Sequence, residues 1–316
     1  MDVNQHVSFA RQVKLNLSET EPTCPHCQFA QAYGMLVCSR GFSHPQISIQ
    51  TEHKAVVDTF VSLLIDLTGS IVTILHDRPS HLQRGRLYTA VVEDDRDNEL
   101  IRERFGHIAG EKSLHIRREN FSKSCCQSAF LRGAFLVCGT MINPEREYHA
   151  EFVLPTQSLG SDFREILTDC GIEPKCTIRK GSSVVYIKES EQIEDLLTLM
   201  GDSASALSIM NIKIVKDVRN KVNRVTNCET ANIGKTVSAA SGQIADIQRI
   251  ERHKGLASLP DELREIAELR LENPDMSLRE LGGMLSEPLS RSGVNHRLQR
   301  LHEIASGLHE MPVKKV

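Results

Sequence analysis

The chain carries one helical segment twice, and an internal repeat of this kind limits the fold more than any other feature. Around Gly34 it reads CQFAQAYGMLVCSRGFS, and around Gly133 it reads CQSAFLRGAFLVCGTMI. In each copy a cysteine followed by glutamine (Cys27, Cys126) precedes the glycine by seven residues. The flanks match in order. After the first copy come QISIQTEH, KAVVDTFVSLLIDLTGS, IVTILHD, GRLYTAVVE and DNELIRERFG. After the second come HAEFVLPT, SLGSDFREILTDCGI, KCTIRKG, SSVVYIKES and EQIEDLLTLMG. β-branched runs and alternation mark strands, and the 3.6-residue period marks helices. Both halves read helix–strand–helix–strand–strand–helix. Such a duplication predicts a pseudo-two-fold α+β domain with matching elements meeting at the axis. The glycine-bearing helices are the candidates to meet there. A helical glycine costs about 1 kcal/mol relative to alanine, and close approach of two helix backbones offsets that cost.

The tail has a different pattern. SLPDELREIAELRLENP places Leu263, Ile266, Ala267 and Leu271 at helical spacing, with Pro260 near the start and Pro274 at the end. Ser277 and Glu280 make a capping box for the next helix, with Leu278, Leu281 and Leu285 apolar. Ser290 caps a last helix, whose stripe Val294, Leu298, Leu301 and Ala305 packs on the two before it. The other side carries Ser292, Asn295, His296 and Gln299, with Arg291 at the start and Arg297 and Arg300 flanking. This is the layout of a helix-turn-helix unit, in which the last helix enters the major groove by its N-terminal end. Asn and Gln read adenine edges at two points, and Arg reads guanine. From Ser290 to His302 there are three Arg, two His and no acid. The bland alternative is a three-helix protein-docking module with a solvated basic face.

Composition enters here, because the net charge of −3 gives no global sign of nucleic-acid binding. Basic surface has to be local. At 316 residues, 40% hydrophobic and 25% charged, the chain reads as several soluble units. The first half is expected over 1–118, the second over 119–216, a basic linker and connecting helix over 217–256, and the helix-turn-helix domain over 257–310, its motif about 276–309. The linker's IGKT lacks the upstream glycine and the strand–loop–helix setting of a phosphate loop, so nucleotide binding is rejected. No run of 18 apolar residues exists, and the amphipathic N-terminus has no signal-peptide core. A cytoplasmic, nucleoid-associated protein with no membrane contact is expected.

Nine cysteines in unframed spacings fit reduced thiols. CPHC at Cys24 and Cys27 invites a metal, with Cys125 and Cys126 to complete four ligands and His26 in reserve. A vicinal pair is poor zinc geometry, however, so these cysteines read as small buried hydrophobes. No metal and no cofactor are expected.

Leu131 to Gly139, LRGAFLVCG, resembles the LAGLIDADG motif of homing endonucleases, and Ala32 to Arg40, AYGMLVCSR, resembles a more degenerate copy. With the helix-turn-helix tail, the chain resembles the bacterial WhiA family of regulators over nearly its whole length. The segments that carry this are CCQSAFLRGAFLVCGTMINP, NRVTNCETANIGKT and SLPDELREIAELRLENPDMSLRELGGMLSEPLSRSGVNHRLQRL. The resemblance implies a role in sporulation or cell division, double-stranded DNA as partner, and other transcription regulators as further candidates. It also implies two four-stranded sheets saddling a duplex. Phosphate contacts are then expected from Arg78, Arg84 and Arg86 in half one and from Arg179 and Lys180 in half two. Arg219 and Arg224 of the linker are further candidates.

One position separates this chain from the nucleases. Their eighth motif residue is an acid, and the two carboxylates hold the divalent ions that activate water. Here the eighth residues are Ser39 and Cys138, neither suited to magnesium. No Asp or Glu lies between Pro22 and Thr51, nor between Asn120 and Pro144. The expectation is a catalytically inactive relative of homing endonucleases that works as a sequence-specific DNA-binding regulator. The alternatives are an active nuclease with a displaced metal site and a protein-docking scaffold.

Overall fold

The structure, a computed structural model, describes residues 8–77, 87–111 and 113–308. The first half runs α1 (Phe9–Glu19), α2 (Pro25–Val37), β1 (Ser48–Thr51), α3 (Lys54–Thr68), β2 (Val72–Asp77), β3 (Leu87–Val92) and α4 (Asp95–Arg104). The second runs α5 (Ser124–Cys138), β4 (Gly139–Met141), β5 (Ala150–Leu154), α6 (Gln157–Asp169), β6 (Lys175–Arg179), β7 (Ser182–Ile187) and α7 (Ser190–Met200). After them come α8 (Ser203–Lys254), α9 (Asp261–Glu272), α10 (Leu278–Met284) and α11 (Arg291–Ser306). Met1–Lys216 and Asp217–Val316 form two units. The architecture is α+β: a duplicated LAGLIDADG-like domain, then an all-α region.

The expected meeting of the glycine helices is found. In α2, Tyr33 to Val37 are all buried, as are Ala129 to Leu136 in α5. A Cβ built on Gly34 would lie 2.2 Å from the Phe130 carbonyl oxygen, and one on Gly133 2.1 Å from the Gln31 carbonyl oxygen. No side chain fits at either place. Around this contact the first unit builds its core from both halves, with Phe60, Phe105, Phe130, Phe135, Phe152 and Phe163 among the largest fully buried side chains. The local signals act as expected at the ends: Asp94 caps α4, Thr156 caps α6, and Gly69 and Gly201 close α3 and α7 in the left-handed region.

The two sheets are not equal. The second is four-stranded and antiparallel, in the order β4-β5-β7-β6, whereas the first has three described strands in the order β1-β3-β2. Gly139 starts β4 in the second half. Its counterpart Arg40 instead starts a 3-10 turn, Arg40–Ser43. Within that turn a Cβ on Gly41 would fall 2.1 Å from the Ser48 carbonyl oxygen, so the chain lies against the start of β1 face-on and does not pair beside it as a strand. The implied pair of four-stranded sheets is thus corrected, among the described residues, to three strands and four.

In the second unit the capping box of Ser277 and Glu280 forms, and Ser290 caps α11 by accepting from the Gly293 N–H at 3.3 Å. Val294, Leu298, Leu301 and Ala305 are all buried, with Leu263, Ile266, Ala267, Leu281, Ile247 and Ile250 against them. The connection over 217–256 was expected as a basic linker and a connecting helix. It is one helix of 52 residues, with no proline to break it.

The glycine contact makes a measurable difference between two like substitutions. Alanine is favoured over glycine in a helix by about 1 kcal/mol, but overpacking costs about 1–3 kcal/mol, and at Gly133 the added methyl meets backbone. Gly133→Ala is therefore expected to lower the melting temperature. Gly242→Ala on α8, with nothing within 4 Å of the new Cβ, is expected to raise it. A Gly133→Ala protein that melts at or above the parent would mean that α2 and α5 do not touch there.

Candidate nucleic-acid interface

The first candidate surface is the cleft where α2 and α5 end. Cys38 and Ser39 are buried there and Cys138 is half-buried. The Ser39 hydroxyl donates to the Leu36 carbonyl at 2.7 Å, satisfying a carbonyl of the last turn of α2. A cleft of about 660 Å³ opens beside them, bounded by Arg40, His44, Gln50 and Thr140 among others, and among the described residues no carboxylate lines it. The charged groups described nearby are cations, Arg40 on the cleft wall and Lys14 close to Cys138. Lys14 of α1 is half-buried, and burial pushes its pKa down to about 8, opposed by the nearby Cys138 thiol. Burial, then the charges of Lys14 and Arg11, push the pKa of His53 down to about 4. A hydrolytic centre needs anions around a metal ion; this site has a hydroxyl, thiols and basic side chains.

The second is the outer face of α11. Arg291, Ser292, Asn295, His296, Gln299 and Arg300 are exposed. They divide by neighbour. Ser292, His296 and Arg300 lie opposite the buried stripe, at successive i, i+4 positions. Asn295 and Gln299 line a shallow groove whose other wall is Gly242, Gln243 and Asp246 of α8. Arg297 and Arg300 do not occupy equivalent edges. Arg297 is largely covered, with its guanidinium 3.6 Å from a Glu262 carboxylate oxygen and donating to the Glu262 backbone carbonyl at 3.4 Å. Three further contacts were not read from the sequence. His302 Nδ1 lies 2.7 Å from Asp246 Oδ2. The buried Arg270 donates to the Met276 carbonyl at 2.7 Å and so holds the loop before α10. His149 and Arg179 converge on Glu151. His302 and Asp246 are 56 residues apart and Arg179 and Glu151 28, so no local pattern announces these pairs.

The remaining expected phosphate contacts fall in several settings. Arg78, Arg84 and Arg86 lie outside the described residues. Arg179 of β6 reaches Glu151 of β5 with both terminal nitrogens, at 3.3 and 3.4 Å. Lys180 forms the turn after it at φ 50 and is exposed. Arg219 and Arg224 are exposed on α8. Their neighbour Lys213 pairs with Glu191 at 2.8 Å, and Lys216 donates to the Pro144 carbonyl at 2.7 Å.

The four cysteines set aside as core residues come together. Sγ atoms of Cys24, Cys27, Cys125 and Cys126 all lie within 4.8 Å of one another. The vicinal pair was expected to spoil ligand geometry. It does not keep the sulfurs apart: Cys125 and Cys126 both sit in the first turn of α5, and both thiols lie with those of Cys24 and Cys27.

Lys14 supplies a test of the cleft's electrostatics. The unfolded lysine holds its proton to about 10.5 and the folded one to about 8. Between these values the unfolded chain binds more protons, so stability falls as pH drops, and below 8 the whole penalty is present. Lys14→Met is expected to raise the melting temperature at neutral pH, with the gain shrinking from about pH 8 upward and gone above about pH 10.5. An equal shift at every pH would show that Lys14 is not desolvated.

The sequence profile described as the WhiA LAGLIDADG-like domain matches residues 127–219, and that of the WhiA C-terminal HTH domain matches 222–305. A probable cell division protein WhiA from Alkaliphilus oremlandii is 37% identical over 98% of this chain and 100% of its own length. One of the same name from Clostridium perfringens is 41% identical over 87% of this chain and 89% of its own. The crystal structure of full-length DUF199/WhiA from Thermatoga maritima superposes with a TM-score of 0.56 at 25% identity, covering 96% of this chain and all of that one. Among the described residues no helix is long and apolar enough to cross a membrane. With two profiles that together span most of the chain and relatives matched nearly end to end, the chain belongs to the WhiA family.

Proposed function

We propose that this chain is a sequence-specific, double-stranded-DNA-binding regulator that does not cut DNA. The observation that carries the reading is the outer face of α11. Arg291, Ser292, Asn295, His296, Gln299 and Arg300 are exposed on a helix whose opposite stripe is fully buried. A short capped helix, α10, precedes it through a tight turn, the arrangement that inserts a recognition helix into the major groove. A role in cell division comes from the name of the relatives, and it fits a regulator acting on DNA.

Absence of cleavage rests on the carboxylate-free cleft at Ser39 and Cys138. Purified protein is expected to leave plasmid DNA intact with magnesium or manganese. Specific nicking that disappears when a nearby acid is mutated would restore the nuclease reading.

Specificity is tested on the last helix. Asn295→Ala is expected to cost about 1–3 kcal/mol at the true site and little on random DNA. Equal losses on both would mean that Asn295 reads no base. Arg300→Ala is expected to weaken specific and random binding alike and to flatten the log–log salt slope by about one unit. Arg297→Ala, whose partner is Glu262, is expected to lower the melting temperature and leave the slope alone. An Arg300→Ala protein that keeps both the parent's melting temperature and its salt slope would overturn the docking of α11 on phosphate.

A further inference from the structure

Four thiols converge at the end of the helix pair away from the carboxylate-free cleft. Cys24 is the N-cap of α2, and Cys27 lies one turn in. Cys125 and Cys126 stand in the first turn of α5. Cys24 Sγ is 3.4 Å from Cys27 Sγ and 4.0 Å from Cys125 Sγ. A zinc–thiolate bond of about 2.3 Å in tetrahedral geometry sets neighbouring sulfurs about 3.8 Å apart. The two measured separations bracket that value, and the limit of 4.8 Å on the whole set leaves room for one ion at its centre. A cluster that interposes several iron and sulfide ions would hold its thiolates farther apart.

The surroundings suit an anionic centre. Neither α2 nor α5 has a side-chain cap hydrogen bond at its N-terminus, so the positive ends of two helices face the sulfurs, and the backbone N–H groups of His26 and Cys27 lie in hydrogen-bond reach of the Cys24 thiol. A separate observation points the same way. Arg132 of α5 is buried, and it donates to the Gln31 side-chain oxygen at 3.0 Å and to the Met200 carbonyl at 3.1 Å. Both acceptors are neutral, and no carboxylate pairs with it among the described residues. A buried guanidinium without a counter-charge is costly. Arg132 lies within electrostatic reach of Cys27.

We propose that Cys24, Cys27, Cys125 and Cys126 bind one zinc ion as a tetrathiolate site joining the two halves of the first unit. On binding, the four thiols release four protons to solvent, and four thiolates with one divalent cation leave a net charge of −2. The two helix N-termini and Arg132 offset that charge. All four positions are protein ligands, so the site is structural and closed, with no place for substrate. Zinc is the cation committed to, because four thiolates in a tetrahedron suit it and thiolates disfavour magnesium and calcium.

The full-length chain purified under reducing, anaerobic conditions is the material for the test. Elemental analysis is expected to find one zinc per chain. Stripping the metal with a chelator is expected to add four thiols to those that react with a thiol reagent. Cobalt refilling is expected to give the intense visible bands of a tetrahedral site and sulfur-to-cobalt charge transfer. Cys24→Ser and Cys126→Ser should each lose the metal and the cobalt spectrum and lower the melting temperature. Cys176→Ser, exposed on β6, should leave all three unchanged. If the cysteine variants do not fold, the metal content and cobalt spectrum of the parent still decide. Folded parent protein that holds no zinc and takes up no cobalt, a disulfide between Cys24 and Cys27, or iron with acid-labile sulfide would each overturn the proposal.

Discussion

The contact of α2 with α5 at Gly34 and Gly133 governs the first unit. A Cβ on either glycine would lie only 2.2 or 2.1 Å from a carbonyl oxygen of the other helix, so the backbones touch and the helices are fixed in register there. Everything placed at their ends follows. At the N-terminal end, one register brings a CxxC turn against a vicinal pair. At the C-terminal end, the same register brings Ser39 and Cys138 to one cleft. The repeat therefore does more than pair two similar halves. It creates two locations where side chains from distant parts of the chain meet, and both lie on the pseudo-axis.

Most elements were legible in the sequence, because strands and amphipathic helices are set by local alternation and period. The buried stripe of α11, the capping box at Ser277 and the order of elements in both halves are of this kind. What was not legible depends on three-dimensional neighbours. The turn at Arg40–Ser43 takes the place of a strand because Gly41 rests on Ser48, a contact that no periodicity announces. The long helix α8 was read as a basic linker followed by a helix, although Val215, Val218, Val222 and Val225 already stand at helical spacing along it, exposed among basic residues. The thiol cluster was set aside on the spacing of one pair, although the deciding quantity is the distance between two helix ends.

In the second unit, the outer face of α11 is defined from both sides. The buried stripe fixes its inner face. Arg297 with Glu262 holds one flank and His302 with Asp246 the other. Pairs of this kind, each with one partner in solvent, contribute about 0–1 kcal/mol, too little to hold a helix in place. Their effect is on orientation. A basic side chain engaged by an acid of the same unit is not available to phosphate, so Arg297 leaves Arg291 and Arg300 as the free guanidinium groups of the helix. The sequence alone counted three arginines as one basic strip. The structure separates them by what each already touches.

The residues at the ends of α2 and α5 can be weighed by the same reasoning. Helix C-termini carry partial negative charge, and a carboxylate there is unfavourable by about 0.3–1 kcal/mol. Two carboxylates held together by the glycine contact would also repel each other and be partly desolvated. Only a bound cation makes such an arrangement stable, and an acid pair that lost its metal would strain the helix contact. Serine and cysteine remove both penalties. The Ser39 hydroxyl goes further and satisfies the Leu36 carbonyl. Lys14, held half-buried near Cys138, puts a positive group on the side where a metal ion would otherwise be needed. Given neutral ends and a neighbouring cation, the helix pair needs no divalent ion to stay closed. The frame is thus free of the ion requirement that hydrolysis imposes, and its shape is kept without one.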